Sequence, residues 1–289
     1  MVYCFTIAAA GQDNFTNDRW GISDANGIIL SINDSTTLPY NDHIEMSGRK
    51  VSTIIDYEID TLGNLKLKRD VIFPQLRVFP KSNEAEWKKY RAYFRKVYTD
   101  NTQPKIMVDD EILVLTKVDS VKISGMLRFY HSPINDIQLV RTFYPSMDNR
   151  FIVEEYELTN RADSAQTLRF SNASITENEL GHKGSYKHEM FSTATDSIQL
   201  YQNDSYTFPV YYGATLNQED KTTFDHRQAF RTRTSFLNEI YAKLQLETPD
   251  PIINTLFYFS KIRAAESIFD SSRGLIPSPG GGNYYVGIW

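Results

Sequence analysis

At 289 residues with 41% hydrophobic and 23% charged content, the chain can bury one large core or two ordinary ones. A formal net charge of -5 and a pI near 5.6 exclude recognition of a polyanion through bulk charge, so nucleic acid is not an expected partner. The 18 Tyr and 17 Phe fit broad sheets or sugar-facing surfaces, and the single cysteine, Cys4, rules out a disulfide framework or a zinc-thiolate site.

The chain opens on "VYCFTIAAAGQ", a short apolar run leading to Ala8, Ala9, Ala10 and Gly11. Residues 1–11 read as a signal-peptide remnant, apolar stretch then small-residue cleavage site, although no Lys or Arg precedes Arg19 to form the basic start. A buried N-terminal strand is the alternative. On the first reading the protein is periplasmic or extracellular and loses Cys4 with the signal. No stretch approaches the roughly 20 apolar residues that a membrane-crossing helix needs, so no membrane span is expected.

From residue 28 to 216 the dominant period is two. "SVKISGMLRFYH" places Val121, Ile123, Leu127 and Phe129 on one face and Lys122, Ser124, Arg128 and Tyr130 on the other, as in a half-buried strand. "VSTIIDYEID", the turn "TLGN" and "LKLKRDVIF" predict a hairpin with Leu65 and Leu67 inward and Lys66 and Lys68 outward. Further strands are predicted in "KIMVDDEILVL", "IQLVRTFYP", "FIVEEYELTN", "QTLRFSNASI", "SIQLYQ" and "TFPVYYGATL". Many short strands separated by Asn, Asp, Gly and Pro predict an antiparallel two-sheet β-sandwich over residues 12–224. One helix is predicted within it. "SNEAEWKKYRAYFRKVY" carries Trp87, Tyr90, Phe94 and Val97 at helical spacing, with Asn83 and Glu86 as a capping pair behind Pro80.

After residue 224 the period changes. Phe236, Leu237, Ile240 and Leu244 share one face of a linker helix within 225–248. "TPDPIINTLFYFSKIRAAESIFDSSRG" predicts a second helix from Pro249 to Arg273, with Thr248 as cap and Pro249 at the first helical position. Its apolar surface, from Ile252 and Ile253 to Ile268 and Phe269, is too broad for one neighbour to cover. The chain closes on "GLIPSPGGGNYYVGIW", a glycine-shaped turn followed by aromatic residues. Gly280, Gly281 and Gly282 do not make a phosphate cradle, because no strand precedes them and no Lys-Ser or Lys-Thr opens a helix after them.

Several polar groups could carry chemistry. "VEEYE" supplies Glu154, Glu155 and Glu157, and glycoside hydrolysis needs two carboxyl groups, but strand alternation makes these surface charge with no catalytic role. "ITENELGHKGSYKHEMF" gathers Glu177, Glu179, His182, His188 and Glu189 without any compact ligand spacing, so a polar loop between strands is expected and no metal. His131 and His226 stand alone and read as polar or packing residues. No cofactor motif is present.

A sandwich of this length, a linker helix, "TPDPIINTLFYFSKIRAAESIF" and the "PSPGGGNYYVGIW" loop together resemble the front of a bacterial six-hairpin (α/α barrel) glycoside hydrolase. "RTFYPSMDNRFIVEEYELTN" is typical of its N-terminal supersandwich, a galactose-mutarotase-like fold. The resemblance implies that residues 249–289 begin the helical catalytic domain. Twelve helices with their connections need roughly 190 residues, against 41 from Pro249 to Trp289, so most of the barrel is absent. The acid and base carboxylates of such enzymes, by this resemblance inverting ones, lie on later barrel loops, so this stretch alone is expected to be inactive.

Tyr284, Tyr285 and Trp289 are suitable types for stacking on a sugar ring, and the resemblance puts Trp289 beside a sugar subsite. Packing against the missing barrel is the competing role for all three. The expected partners are an oligo- or polysaccharide and that helical domain. The alternative function is a stand-alone carbohydrate-binding or cell-surface interaction module. A mutarotase-like epimerase is a third, and it would need a His and Glu pair in the sheet cleft. A chain ending near Leu216 is expected to give the cleaner sandwich.

Overall fold

A computed structural model describes residues 19–23, 27–33, 36–77, 93–109, 111–114, 116–181, 184–217, 223–271 and 274–277. Strands and helices are numbered in chain order. The largest sheet is antiparallel and nine-stranded. Its order is β1 (Trp20–Ser23), β2 (Gly27–Ser31), β9 (Val118–Ile123), β10 (Leu127–His131), β11 (Ile137–Pro145), β12 (Phe151–Asn160), β17 (Ser205–Leu216), β15 (Gly184–Ser192) and β14 (Ser174–Gly181). One four-stranded sheet orders β3 (Tyr40–Ser47), β4 (Ser52–Ile59), β5 (Leu65–Arg77) and β6 (Tyr93–Tyr98). The other orders β16 (Ser197–Leu200), β13 (Gln166–Ser171), β7 (Lys105–Val108) and β8 (Glu111–Ile112). After them come helices α1 (His226–Ala242) and α2 (Pro251–Glu266), and the ribbon β18 (Ile268–Ser271) with β19 (Gly274–Pro277).

The fold is therefore the expected antiparallel β-sandwich, and side-chain alternation explains how it is layered. Along β12, Ile152, Tyr156 and Leu158 point to the four-stranded sheets and join one core with Phe208, Tyr212, Val71 and Phe170. Leu30, Ile55, Tyr57, Val121, Leu127 and Phe129 extend that interior toward β2 and β3. The intervening residues Phe151 and Val153, with Tyr144 and Tyr211, face the opposite way and are covered by Ala229 and Leu237 of α1 and Tyr258 and Ile262 of α2. The nine-stranded sheet is thus the middle of three layers. A chain cut near Leu216 would bare this aromatic face, which weighs against the cleaner sandwich expected from removing the apolar second helix.

Four local expectations are corrected. "SVKISGMLRFYH" is not one strand but the β9–β10 hairpin, Leu127 opposite Ile123 and Phe129 opposite Val121, which keeps all four apolar residues on the same face. Gly125 makes the turn at φ +78°, a conformation that favours glycine, and a Cβ there would lie 2.4 Å from the Leu237 side chain of α1, which would have to shift. The helix predicted over "SNEAEWKKYRAYFRKVY" is strand from Tyr93 to Tyr98, paired with β5 in the register Phe94 to Phe73 and Val97 to Asp70. Pairing along the sheet edge overrides helical spacing there, and Asn83, Glu86, Trp87 and Tyr90 lie outside the described residues. The polar loop expected around His188 is the β14–β15 hairpin, with Glu177 opposite His188. The second helix starts and stops inside its predicted bounds. Asp250 caps it by accepting the Ile252 N–H at 2.8 Å, Pro251 is its first residue, and Ile268 and Phe269 belong to β18.

Candidate functional site

The signal-like residues 1–11, His182, Gly280 to Gly282 and the aromatic tail Tyr284, Tyr285 and Trp289 lie outside the described residues. The carboxylates of "VEEYE" do not share one environment. Glu154 is fully buried at the centre of the sandwich, which overturns its reading as surface charge. Arg69 donates to it through Nε at 2.8 Å and Nη2 at 3.1 Å, Arg141 through Nε at 2.9 Å, and the Tyr212 hydroxyl at 2.7 Å. Burial on its own would raise the Glu154 pKa, but the two guanidiniums outweigh it and hold the carboxyl well below the usual carboxylate range. An acid this firmly ionised and this inaccessible neither donates a proton nor meets a substrate. It ties β5 of one sheet to β11, β12 and β17 of the other.

Glu157 is exposed, as expected, while Glu155 is half-buried under α1. Burial raises the Glu155 pKa, and the Tyr144 hydroxyl donates to it at 2.9 Å. Close by, the His226 backbone N–H donates to the Tyr211 hydroxyl at 3.0 Å, and the Asp225 carboxylate accepts the Gln228 N–H at 3.0 Å. These contacts fasten the first turn of α1 to the sheet. His131 is fully buried beside Arg141, and burial, followed by that charge, pushes its pKa down to about 3. In the hairpin, Glu177 pairs with Lys96 at 2.5 Å, and His188 packs against Phe73 with ring centroids 5.7 Å apart. Among the described residues no three His, Cys, Asp or Glu side chains gather as a metal site, and no helix is long and apolar enough to cross a membrane.

One of the concave features lies where α2 meets the open side of the sandwich, smaller than a charged hollow of about 490 Å³ over β3, β4 and β5. A groove of about 370 Å³ runs between β3, the β2–β9 edge and α2, lined by Ile28, Ile44 and Phe259 with His43, Glu45 and Arg263. Its floor is a second buried carboxylate flanked by two arginines. Arg233 of α1 is fully buried, pairs with Glu266 of α2, and donates Nη2 to the Gly125 carbonyl at 2.6 Å and Nη1 to the Ser47 carbonyl at 3.3 Å. Arg263 donates Nη1 to Glu266 Oε2 at 2.5 Å and to the Glu45 carbonyl at 2.6 Å, and Nη2 to Glu45 Oε2 at 2.9 Å. Both carboxylates share a guanidinium, so neither is a free acid or base. The arrangement holds helices to the sandwich and leaves a lined groove beside them.

The outer end of the helical pair is built differently. Lys261 Nζ donates to the carbonyls of Ile240 at 2.7 Å, Lys243 at 2.5 Å and Leu244 at 2.8 Å, closing the last turn of α1. Around this contact Ile252, Ile253 and Leu256 are 65%, 47% and 64% exposed, and Leu244 is 75% exposed. Of the groove residues, Phe259 figured in the sequence reading only as part of the apolar surface of the second helix, and Arg233, Arg263, Glu45 and Glu266 did not figure as functional residues. Their signal was a charge at a buried helical position: Arg233 one turn before Leu237, and Glu266 one turn after Ile262.

No family model matches the chain, and no curated protein matches it. Among solved structures, one described as "Putative kojibiose phosphorylase from human microbiome" aligns with it at 12% identity and a TM-score of 0.37. The alignment covers 83% of this chain and 38% of that one, so the chain spans well under half of that protein's length.

Proposed function

We propose that this chain is the N-terminal part of an exported glycoside hydrolase, in which the sandwich braces a helical catalytic domain that α2 begins. The observation that carries the reading is the outward side of α2. A helix docked on the sandwich through a buried ion pair, yet leaving Ile252, Ile253 and Leu256 in water, has the pattern of an inner helix awaiting a second layer. The helical hairpins of a following domain are such a layer. In this reading the aromatic residues Tyr284, Tyr285 and Trp289 lie on the first loop of that domain, facing a carbohydrate cleft.

The test extends the chain through whatever sequence follows Trp289 in its gene. The longer protein is expected to cleave oligosaccharides that the 289-residue chain leaves intact. Leu256→Asp is expected to destabilise the longer protein and to have little effect on the shorter. A longer protein that acts on no oligosaccharide, or whose stability ignores Leu256→Asp, would refute the reading.

A further inference from the structure

The groove beside α2 has a lining that selects among ligand classes. Its charges are two carboxylates, Glu45 and Glu266, against two guanidiniums, Arg233 and Arg263, so neither an anion nor a cation meets a net opposite charge there. An added peptide strand is also disfavoured. β3 is the outer strand of its sheet, and the Glu45 and Ser47 carbonyls on its open side, which a peptide would need, already accept from Arg263 and Arg233. What remains accessible is a half-buried aromatic ring, Phe259, two half-buried isoleucines, Ile28 and Ile44, and polar groups of both kinds. Glu45 supplies an acceptor, Arg263 supplies donors, and the exposed His43 ring supplies one of each at the mouth.

We infer that this groove is a binding site for a neutral polyhydroxylated ligand, one or two pyranose rings, at the junction of helix and sandwich. A sugar ring presents a C–H face that packs on an aromatic side chain and a rim of hydroxyls that donate and accept, which is the complement of this lining. A volume of about 370 Å³ is within the range of small-molecule sites. The site is formed entirely by described residues. It rests on the carbohydrate reading only in the choice of probes.

The experiment uses the 289-residue chain, D-glucose and maltose as probes, and glucose 6-phosphate as the charged comparison, read by saturation-transfer NMR at millimolar concentration. Transfer to the ring protons of glucose or maltose is expected, with the phosphate ester no tighter. His43→Ala, at an exposed position where folding is not at risk, is expected to weaken binding about fivefold, the equivalent of one hydrogen bond. Phe259→Leu is expected to weaken it further, while Ile253→Ser on the outward side of α2 leaves it unchanged. Absence of transfer to both sugars overturns the inference, as does binding indifferent to His43→Ala or a clear preference for the phosphate ester. No hydrolytic activity enters the readout, so this inference and the proposed enzyme fail separately.

Discussion

The sandwich and the helical pair treat their buried charges alike and their apolar residues differently. Glu154 sits between Arg69 and Arg141, and Glu266 sits between Arg233 and Arg263. In both places one carboxylate, almost wholly removed from water, joins elements that come from distant parts of the chain. The apolar side chains part company. Those the sandwich leaves in water are scattered over turns and edges, such as Leu62, Ile112 and Leu180, whereas α1, α2 and their connection expose Tyr241, Leu244, Leu246, Ile252, Ile253 and Leu256 within one short stretch. A buried ion pair therefore says how an element is fastened, not whether it is finished. The sandwich is fastened and covered; the helical pair is fastened and left open on one side.

The sharpest test of the shared device is Glu154→Ala, which strands two buried guanidiniums. Removing one member of a buried pair costs about 3–5 kcal/mol, and the loss here is expected at or above the top of that range, read as a collapsed urea midpoint by circular dichroism. Glu266→Ala leaves Arg233 buried and unpaired, with a comparable cost of about 3–5 kcal/mol falling on the docking of the helices. Hydrogen exchange should quicken along α1 and α2 while the amides of β5 and β12 stay protected. If both regions lose protection together, the two form one cooperative unit and the contrast fails.

Acid acts on the sandwich through its buried histidines. The neutral form of His131 is favoured in the folded state, with a pKa near 3 against about 6.5 when unfolded, so the unfolded chain binds the extra proton between those values. The contribution of His131 to stability is then complete above about pH 6.5 and is expected to fall by about 1.4 kcal/mol per pH unit as pH drops toward 3. His188, lowered to about 4 by burial and then by the Lys96 charge, adds to the same slope. Denaturation of His131→Leu across this window should be measurably less pH-dependent; an unchanged slope would remove His131 from the account. The smallest expected effect on stability is Ile252→Ser with Leu256→Ser, within about 0.5 kcal/mol for residues already in water. The exposed apolar side of α2 is expected to make the 289-residue chain self-associate, and the same pair should lower that association by light scattering; unaltered association would mean that this side is not the sticky surface.

Most of the sandwich could be read from alternation alone, because β9, β10 and β5 turn residues such as Val121, Ile123, Leu127, Phe129, Leu65 and Leu67 inward, with the buried Arg69 and His131 as the exceptions. What alternation cannot tell is what lies beyond the polar face. In "FIVEEYE" the face carrying Glu154 also carries Ile152 and Tyr156, and only the arrival of Arg69 from a distant strand makes an interior carboxylate tolerable. The edge strand β6 was misread because "YRAYFRKVY" satisfies both periods, and sheet pairing decided between them. At the site, Phe236, Leu237 and Ile240 announced the helix, but the groove depends on residues as far apart as Glu45 and Arg263, whose meeting no local pattern records.

The nine-stranded middle layer has a kinetic consequence. Three of its eight pairings, β2 with β9, β12 with β17 and β17 with β15, join strands that are not consecutive in sequence: Leu30 lies opposite Val121, and Tyr156 lies opposite Phe208 with the β13–β16 excursion between them. Each such pairing must close a long loop before either face of the layer gains a core, and loop-closure entropy is spent ahead of the reward. Refolding from denaturant should therefore take milliseconds to seconds rather than microseconds, with the helices, which rest on the completed layer, gaining their protection last.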